Sequence, residues 1–135
     1  EEGNYNNGFP VGKTIKYFEN GNVHEEQHYR NGREVGTRKK YYNNGDLFIE
    51  KIFTSRGNEY LPQVKSTQYH LNGNIEKVEN YIGTRKHGKF IEYYDNGKVK
   101  KERHFENGKL HGKWIEYNLI GSKIKEMNFI HGRQD

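Results

Sequence analysis

Histidine is the residue type in this chain that is best suited to binding a metal ion, and there are seven histidines. Three of them, His87, His111 and His131, each precede a glycine, and we interpret them as copies of one position in a repeat. Copies one repeat apart in a sheet would lie two strands from each other, at about 10 Å. Bonds between a histidine nitrogen and a first-row metal ion are about 2 Å long, so such copies cannot share an ion. We therefore predict no metal site.

Carboxylates recur just as regularly along the chain. Acid–base catalysis would need a unique, desolvated pair of them. These glutamates instead form a solvated row opposite lysines such as Lys16 and Lys40, which predicts cross-strand charge pairs. The sixteen glycines lie in turns with no following helix and form no phosphate-binding loop, and cysteine is absent. We therefore predict no catalytic residues, no cofactor and no enzymatic activity. The recurring glutamates are Glu26, Glu50, Glu92, Glu102, Glu116 and Glu126.

The elements that must position these residues are marked by an aromatic ring at almost every twelfth position. Nine steps between successive rings are twelve residues long and one, from Phe53 to Tyr69, is sixteen. Self-similarity at a fixed short period is the signature of a repeat architecture. The ring positions, called the ring ladder below, are Tyr5, Tyr17, Tyr29, Tyr41, Phe53, Tyr69, Tyr81, Tyr93, Phe105, Tyr117 and Phe129.

Asn-Gly dipeptides show that the full repeat is longer than one ring step. The glycines of the first four are 13, 11 and 13 residues apart, so two steps sum to 24 residues. The segments between these turns alternate apolar and polar residues, which is typical of strands joined by hairpins. The chain has no alanine, the best helix former, which disfavours long helices. We predict an all-β fold, an elongated, twisted antiparallel meander of about eleven strands, with residues 1–135 as a single solenoid-like domain.

The face of the sheet on which the rings lie depends on the turns. Strict two-residue turns would place Tyr17 and Tyr29 on opposite faces, whereas a three-residue turn or a bulge would place them on one face. We expect the single-face arrangement because it gathers the aliphatic side chains beside the rings. These are Ile15, Val23, Leu47, Ile75, Ile91, Val99 and Ile115.

One segment, near residues 54–63, breaks the period with four additional residues. It contains Pro62 and an aromatic residue outside the ladder, Tyr60. Insertions in repeat proteins fall in loops, which are often functional, although a sheet also tolerates a longer loop at little entropic cost. Both interpretations remain open at the sequence level.

Further aromatic residues lie outside the ladder, and we predict that they occupy the opposite face. Phe90 and Trp114 share one repeat position, which elsewhere holds Thr14, Arg38 and Ser66. Exposed rings flanked by lysines would suit a protein or glycan contact, whereas a sheet that curls or bears a terminal helix would bury them as a second small core. Phe18, Tyr42 and Phe48 are the N-terminal counterparts. The candidate partner-binding residues are Phe90, Tyr94, Trp114, Tyr42 and Tyr60.

The net charge of +5 permits weak attraction to acidic surfaces. Lysines and arginines are interleaved with glutamates, which favours a solvated mixed-charge surface over a nucleic-acid groove. No apolar run approaches the roughly 18 residues of a membrane span. The chain begins with Glu1 and not with methionine, so we expect upstream residues to have been removed, by cleavage of an export signal or by cloning of a fragment.

The recurring motifs resemble the MORN repeat, and specifically the variant of the bacterial YwqK-type family. The motifs Tyr-x-x-Asn-Gly and Asn-Gly-Lys-x-His-Gly-Lys-x-x-Glu-Tyr carry the resemblance over nearly the whole chain. Departures occur at Gly83-Thr84, at Ile120-Gly121 and in the insertion near Gly57. The matching segments are Tyr17–Gly21, Asn31–Gly36, Tyr41–Gly45, Tyr93–Gly97 and Asn107–Tyr117.

The resemblance implies a bacterial protein and, for some members of the family, an antitoxin that neutralises its partner by direct binding. Related arrays resemble exported or surface proteins. We expect a non-enzymatic module that binds another protein, outside the cell or, if antitoxin-like, in the cytoplasm. Binding of an anionic lipid surface and binding of carbohydrate are the alternatives. An open meander leaves two edge strands unpaired, which predicts a monomer or an edge-to-edge dimer.

Overall fold

The computed structural model describes residues 2–6, 9–56 and 61–134, and within them the chain forms one open antiparallel sheet. Eleven strands contain five to nine residues and four contain two residues. The strands are β1 (Glu2–Asn6), β2 (Phe9–Tyr17), β3 (Val23–Arg30), β4 (Arg33–Glu34), β5 (Gly36–Tyr41), β6 (Leu47–Thr54), β7 (Gln63–Tyr69), β8 (Ile75–Ile82), β9 (Arg85–Lys86), β10 (Gly88–Tyr93), β11 (Val99–Glu106), β12 (Lys109–Leu110), β13 (Gly112–Tyr117), β14 (Lys123–Ile130) and β15 (Arg133–Gln134).

Each long strand between β1 and β14 pairs with the long strand before it and the one after it, so the sheet is a meander. Within the described residues, the short strands β4, β9 and β12 pair only with the strand that precedes them. One residue separates each of them from the long strand that follows. The predicted all-β antiparallel meander is therefore confirmed, and the eleven predicted strands correspond to the eleven long ones. Among the described residues, no helix is long and apolar enough to cross a membrane.

Two kinds of turn alternate along the sheet, which explains the alternating glycine spacing. In the first kind, a five-residue loop separates Tyr17 from Val23, and Gly21, with φ +91°, donates its N–H to the Phe18 carbonyl at 3.0 Å. In the second kind, Asn31 and Gly32 form a two-residue turn with φ of 52° and 75°. Positive φ at both central residues is the type I′ pattern, which asparagine and glycine adopt at low cost.

A register shift beside the first kind of turn divides the ring ladder between two faces. Tyr17 pairs with Val23 but Lys16 pairs with Glu25, so β3 carries one extra residue and the alternation of its side chains is inverted. Tyr29 consequently shares a face with Gly12, its partner in β2, while Tyr17 lies on the opposite face. The predicted single-face ladder is therefore wrong. The expected bulge is present in β3, but the loop before it has five residues. The bulge and this odd-length loop together place Tyr17 and Tyr29 on opposite faces.

The same shift recurs at β6, β8, β11 and β14, so the ladder forms two rows. We call the two sides of the sheet the Phe90 face and the Tyr93 face. The described ladder rings on the Phe90 face are Tyr29, Phe53, Tyr81, Phe105 and Phe129, and those on the Tyr93 face are Tyr17, Tyr41, Tyr69, Tyr93 and Tyr117.

The hairpin of β6 and β7 is where the period of 24 residues is broken. Its register is regular from the pair Ile49 and Gln68 to the pair Thr54 and Gln63. In the regular repeats a glycine with positive φ, such as Gly36 or Gly88, interrupts the strand at the corresponding place. Here that place holds Val64, which is only 6% exposed. The insertion therefore changes the strand as well as the loop, because it replaces a glycine bulge by a continuous strand.

Candidate functional site

The buried part of the sheet is an aromatic row on the Phe90 face. Phe90 is 2% exposed and lies between Tyr81 and Phe105, with ring centroids 5.4 Å and 4.8 Å away. Burial, reinforced by the negative charge of Glu79, raises the pKa of the Tyr81 hydroxyl above its ordinary value. A single-layer sheet thus obtains a core by stacking rings along one of its own faces.

Arg103 extends this row to Trp114. Its guanidinium lies 5.4 Å from the Phe105 ring centroid and 5.7 Å from the Trp114 ring, and Trp114 lies 5.9 Å from Phe129. The prediction that Phe90 and Trp114 occupy the face opposite the ladder is therefore wrong. They share a face with half of the ladder, because the register shifts place every second ladder ring beside them.

Phe90 and Trp114 differ in what surrounds them. Phe90 has ladder rings on both sides and is inaccessible, so it is a core residue and not a contact residue. Trp114 is half-buried, and three cations lie over its ring. Lys101, Arg103 and Lys125 approach it to 5.6, 5.7 and 5.6 Å. Of the two rings, only Trp114 combines accessible aromatic surface with a positive surround.

Charge pairs run across the strands beside Trp114. Lys101 lies 3.8 Å from both Glu92 and Glu116, and Lys125 lies 3.6 Å from Glu116. The predicted cross-strand pairing of these glutamates is confirmed. Exposed pairs of this kind contribute at most about 1 kcal/mol each, so they order the lysines over the ring more than they stabilise the sheet.

In the N-terminal half of the Phe90 face, the repeat position of Phe90 and Trp114 is polar instead of aromatic. Arg38, the counterpart of Phe90, places its Nη2 2.6 Å from Glu25 and its Nε 3.7 Å from Glu34. The other two counterparts, Thr14 and Ser66, are buried at 4% and 6% exposure. One face thus carries an ionic network at one end and the aromatic row at the other.

Tyr42 and Tyr94 are not part of the aromatic row, because their hydroxyls form hydrogen bonds to the backbone of the neighbouring repeat. Each follows the last residue of a strand, and its hydroxyl donates to the backbone carbonyl of the next repeat, Tyr42 to Tyr69 at 2.8 Å and Tyr94 to Tyr117 at 2.7 Å. Asparagine side chains of the neighbouring turns do the same, as Asn72 does to the Asp95 carbonyl at 2.9 Å. These two predicted partner-binding residues therefore hold successive repeats together, and Tyr60 lies outside the described residues.

Comparison with known proteins agrees with this succession of hairpins. Residues 10–31, 34–54 and 86–107 match the family model described as MORN repeat variant. These three segments are similar to the MORN repeat variant. Two of the matched segments end at or before Thr54, the last residue of β6, and the third begins at Lys86, so none of them includes β7 or β8. No curated protein and no solved structure is significantly similar to the chain.

The histidines do not all occupy the repeat position that we predicted. His131, with φ of 47°, takes the place of Asn31 and Asn107 in the two-residue turn, so it is not a copy of His111. The rings of His111 and His131 are only 4.8 Å apart, and the predicted separation of about 10 Å does not apply to this pair. Among the described residues, no group of three or more histidine and acidic side chains has the arrangement of a metal site.

The irregular hairpin borders two grooves in the sheet. The larger, of about 610 Å³, lies between it and the preceding hairpin, and the smaller, of about 300 Å³, lies between it and the following one. Leu61, 46% exposed, lines both. The break in the period predicts the insertion as a candidate site but does not point to the arginines of the larger groove, although the motif Arg30-Asn31-Gly32-Arg33 is visible in the sequence. These arginines are Arg30, Arg33 and Arg56.

Proposed function

We propose that the chain is a non-enzymatic module that binds an acidic surface of another protein around Trp114. The observation that carries the proposal is the half-buried Trp114 ring with three cations within 5.7 Å of it. Tryptophan and arginine are enriched among the residues that dominate binding energies, and a positive surround favours an acidic partner. MORN repeats commonly serve as protein-binding or membrane-binding modules, which supports the same class of function.

The contrast between Trp114 and Phe90 also supports this placement. The two rings share one repeat position, and the aromatic row is complete around Phe90 without any partner. Beyond Trp114 the row ends on Phe129, in the last long strand, where much apolar surface is exposed. The exposed fractions are 59% for Leu119, 74% for Ile120, 64% for Ile124 and 52% for Ile130. These exposed apolar residues lie in the last long strand, next to that of Trp114, and in the turn that joins the two, so this end of the sheet also suits a protein contact.

The test is a pull-down with Trp114→Ala against a matched aromatic deletion, Phe48→Ala, in the N-terminal half. We expect the wild type and Phe48→Ala to retain the same acidic protein, and Trp114→Ala to bind it at least about tenfold more weakly. Thermal unfolding of each variant shows that it is folded at the assay temperature. Retention of the same partner by Trp114→Ala, at unchanged affinity, would refute the proposal.

Salt dependence separates this function from binding to lipid. Binding to vesicles rich in phosphatidylserine should weaken steeply between ~0.1 M and ~0.5 M NaCl and follow the number of lysines, with little effect of Trp114→Ala. A protein contact centred on Trp114 should survive moderate salt. Loss of binding to a glycan array on Trp114→Ala, with no protein captured, would instead favour carbohydrate.

The resemblance to the bacterial YwqK-type variant supports a finer proposal, an antitoxin-like or an exported binding protein. The gene upstream of residue 1 distinguishes the two, because an encoded signal peptide would exclude a cytoplasmic antitoxin. We also propose that the chain associates edge to edge through β14, because, among the residues that the structure describes, this strand pairs on its outer side only with the two residues of β15.

A further inference from the structure

A third groove lies at the ends of β6 and β7 that are remote from the insertion. It is situated between two successive turns of the first kind, at residues 42–46 and 70–74. Its volume of about 330 Å³ falls in the range of roughly 300–1,000 Å³ that is typical of ligand pockets. The lining residues include Asp46, Leu47, Tyr69, Leu71 and Asn72.

Side-chain N–H groups join other successive turns of this kind. Asn22, the last residue of its turn, donates from its side chain to the Asn43 carbonyl of the next turn at 2.9 Å. Asn74 occupies the same position two turns later and donates to the Asp95 carbonyl at 2.8 Å. Each of these bonds pairs a donor of one turn with a carbonyl of the following turn.

The turn at residues 42–46 does not make such a bond. Its last residue is Asp46, the counterpart of Asn22, and a carboxylate can only accept hydrogen bonds. The side chain of Asn44 donates to Asp46 Oδ2 at 3.1 Å instead of reaching the next turn. Within the described part of the chain, no hydrogen bond reaches the Leu71 carbonyl, which stands where the next turn should accept one. The groove is therefore bordered by acceptors from both turns.

The chain itself shows that an ammonium group fits a junction of this kind. Lys98 is the counterpart of Asp46 in the turn at residues 94–98, and its Nζ donates to the Ile120 carbonyl of the following turn at 3.2 Å. An ammonium in the groove could donate to the Leu71 carbonyl in a similar way. It would also lie beside the carboxylate of Asp46, and hydrogen bonds between ionised partners are roughly twice as strong as neutral ones.

Asp46 retains the capacity for such a partner. Among the residues that the structure describes, no lysine or arginine forms an ion pair with it, and Asn44 engages one of its two carboxylate oxygens. An ionised carboxylate offers about four acceptor sites. The rest of the lining supplies apolar surface, from Leu47, Tyr69 and the 68% exposed Leu71.

We propose that this groove binds a primary ammonium group attached to a small apolar body. Asp46 and the Leu71 carbonyl accept from the ammonium, and the side chains of Leu47, Tyr69 and Leu71 contact the apolar body. Calcium takes six to eight oxygen ligands, which a lining with one carboxylate does not offer. The site is separate from the surface around Trp114, and its occupancy does not depend on the protein contact proposed there.

The test is an amide NMR titration with 2-phenylethylamine, which should produce saturable shifts at Leu47, Leu71 and Gly73. Four comparison probes each lack one part of the recognition. Methylammonium has no apolar body, 2-phenylethanol has no charge, the N-trimethyl derivative of 2-phenylethylamine has no N–H donor, and calcium chloride supplies only a metal ion. Each should bind at least about tenfold more weakly than 2-phenylethylamine.

Two matched variants decide whether Asp46 is responsible. Asp46→Asn should abolish saturable binding and raise the urea midpoint, because the new amide can donate to the Leu71 carbonyl as Asn22 does to Asn43. Asp95→Asn removes the same charge from an exposed turn residue outside the groove and should change neither quantity. The proposal is overturned if 2-phenylethylamine does not saturate, if a comparison probe binds as tightly, or if Asp46→Asn retains the binding.

Discussion

At the scale of single residues, equivalent positions of this repeat serve different purposes. Phe90, Trp114, Arg38 and Ser66 occupy one position, and they provide a core ring, an accessible ring, an ionic contact and a buried hydroxyl. The backbone scaffold is set by the turns, so this position is free to vary in chemistry. Function in such an array therefore resides in the occupant of a position and not in the position itself.

The tyrosines of the sheet should make its stability sensitive to alkaline pH. Burial raises the pKa of Tyr81, Tyr41 and Tyr42 above their ordinary value of 10.0. As the pH rises through ~10, the unfolded chain releases these protons before the folded chain does, so unfolding becomes more favourable. The stabilisation is complete below the unfolded pKa and is lost above it. We expect the urea midpoint to fall between pH ~9 and pH ~11.

Tyr81→Phe provides the check on this prediction. It keeps the ring next to Phe90 and removes the ionisable hydroxyl, so its urea midpoint should fall less over the same pH range than that of the wild type. Parallel curves for the two proteins would mean that Tyr81 is not one of the groups responsible.

At the scale of elements, the two kinds of turn determine the sheet. The strand number and the period were predictable because Asn-Gly signals are local and each is repeated several times. The distribution of the rings between the two faces was not predictable. It depends on the extra residue between Val23 and Glu25 together with the number of residues in the preceding loop, odd or even. The equivalence of Phe90 and Trp114 was predictable from their spacing in the sequence. The larger groove was not predictable, because it depends on how far the hairpin of β3 and β4 lies from the hairpin of β6 and β7.

The irregular hairpin is joined to the next one through Gly83. A Cβ atom placed on Gly83, where φ is +59°, would lie 3.0 Å from Leu61 Cδ1. We expect Gly83→Ala to reduce the free energy of unfolding by about 1–2 kcal/mol, from left-handed strain and from this contact. In a Leu61→Ala background the contact is absent, so the cost should shrink to the strain alone.

Gly73→Ala is the control for this cycle in urea unfolding. Gly73 also has positive φ, but a Cβ there meets nothing within 4 Å. Its cost should be the same in the wild type and in the Leu61→Ala background, because strain does not depend on a remote side chain. If Gly83→Ala lowers the free energy of unfolding equally in the two backgrounds, Leu61 does not contact this turn.

At the scale of the whole molecule, an open sheet presents unpaired backbone groups at its ends. Strand β14 pairs with β13 along its length, and its side chains Ile124 and Ile130 are 64% and 52% exposed. We expect the weight-average mass in sedimentation equilibrium to rise with concentration, as two copies pair along this edge.

Charge placed on the edge should abolish this association. Ile124→Lys/Ile130→Lys opposes strand pairing by repulsion, whereas Ile75→Lys, at a 36% exposed residue of the internal strand β8, should not affect it. A monomer at all concentrations for the wild type, or association unaffected by the edge lysines, would argue against edge pairing.

The strands β3, β6, β8, β11 and β14 each carry one extra residue. These extra residues determine how many residues can be added to or removed from the protein without disturbing the later strands. Removing or adding 24 residues restores every later side chain to its former side of the sheet. Removing twelve would turn all later strands over, and the rings around Phe90 would meet the wrong neighbours. Strands of this sheet should therefore be duplicated or lost in pairs, one whole hairpin at a time, and the twelve-residue spacing between successive rings is only half of that unit.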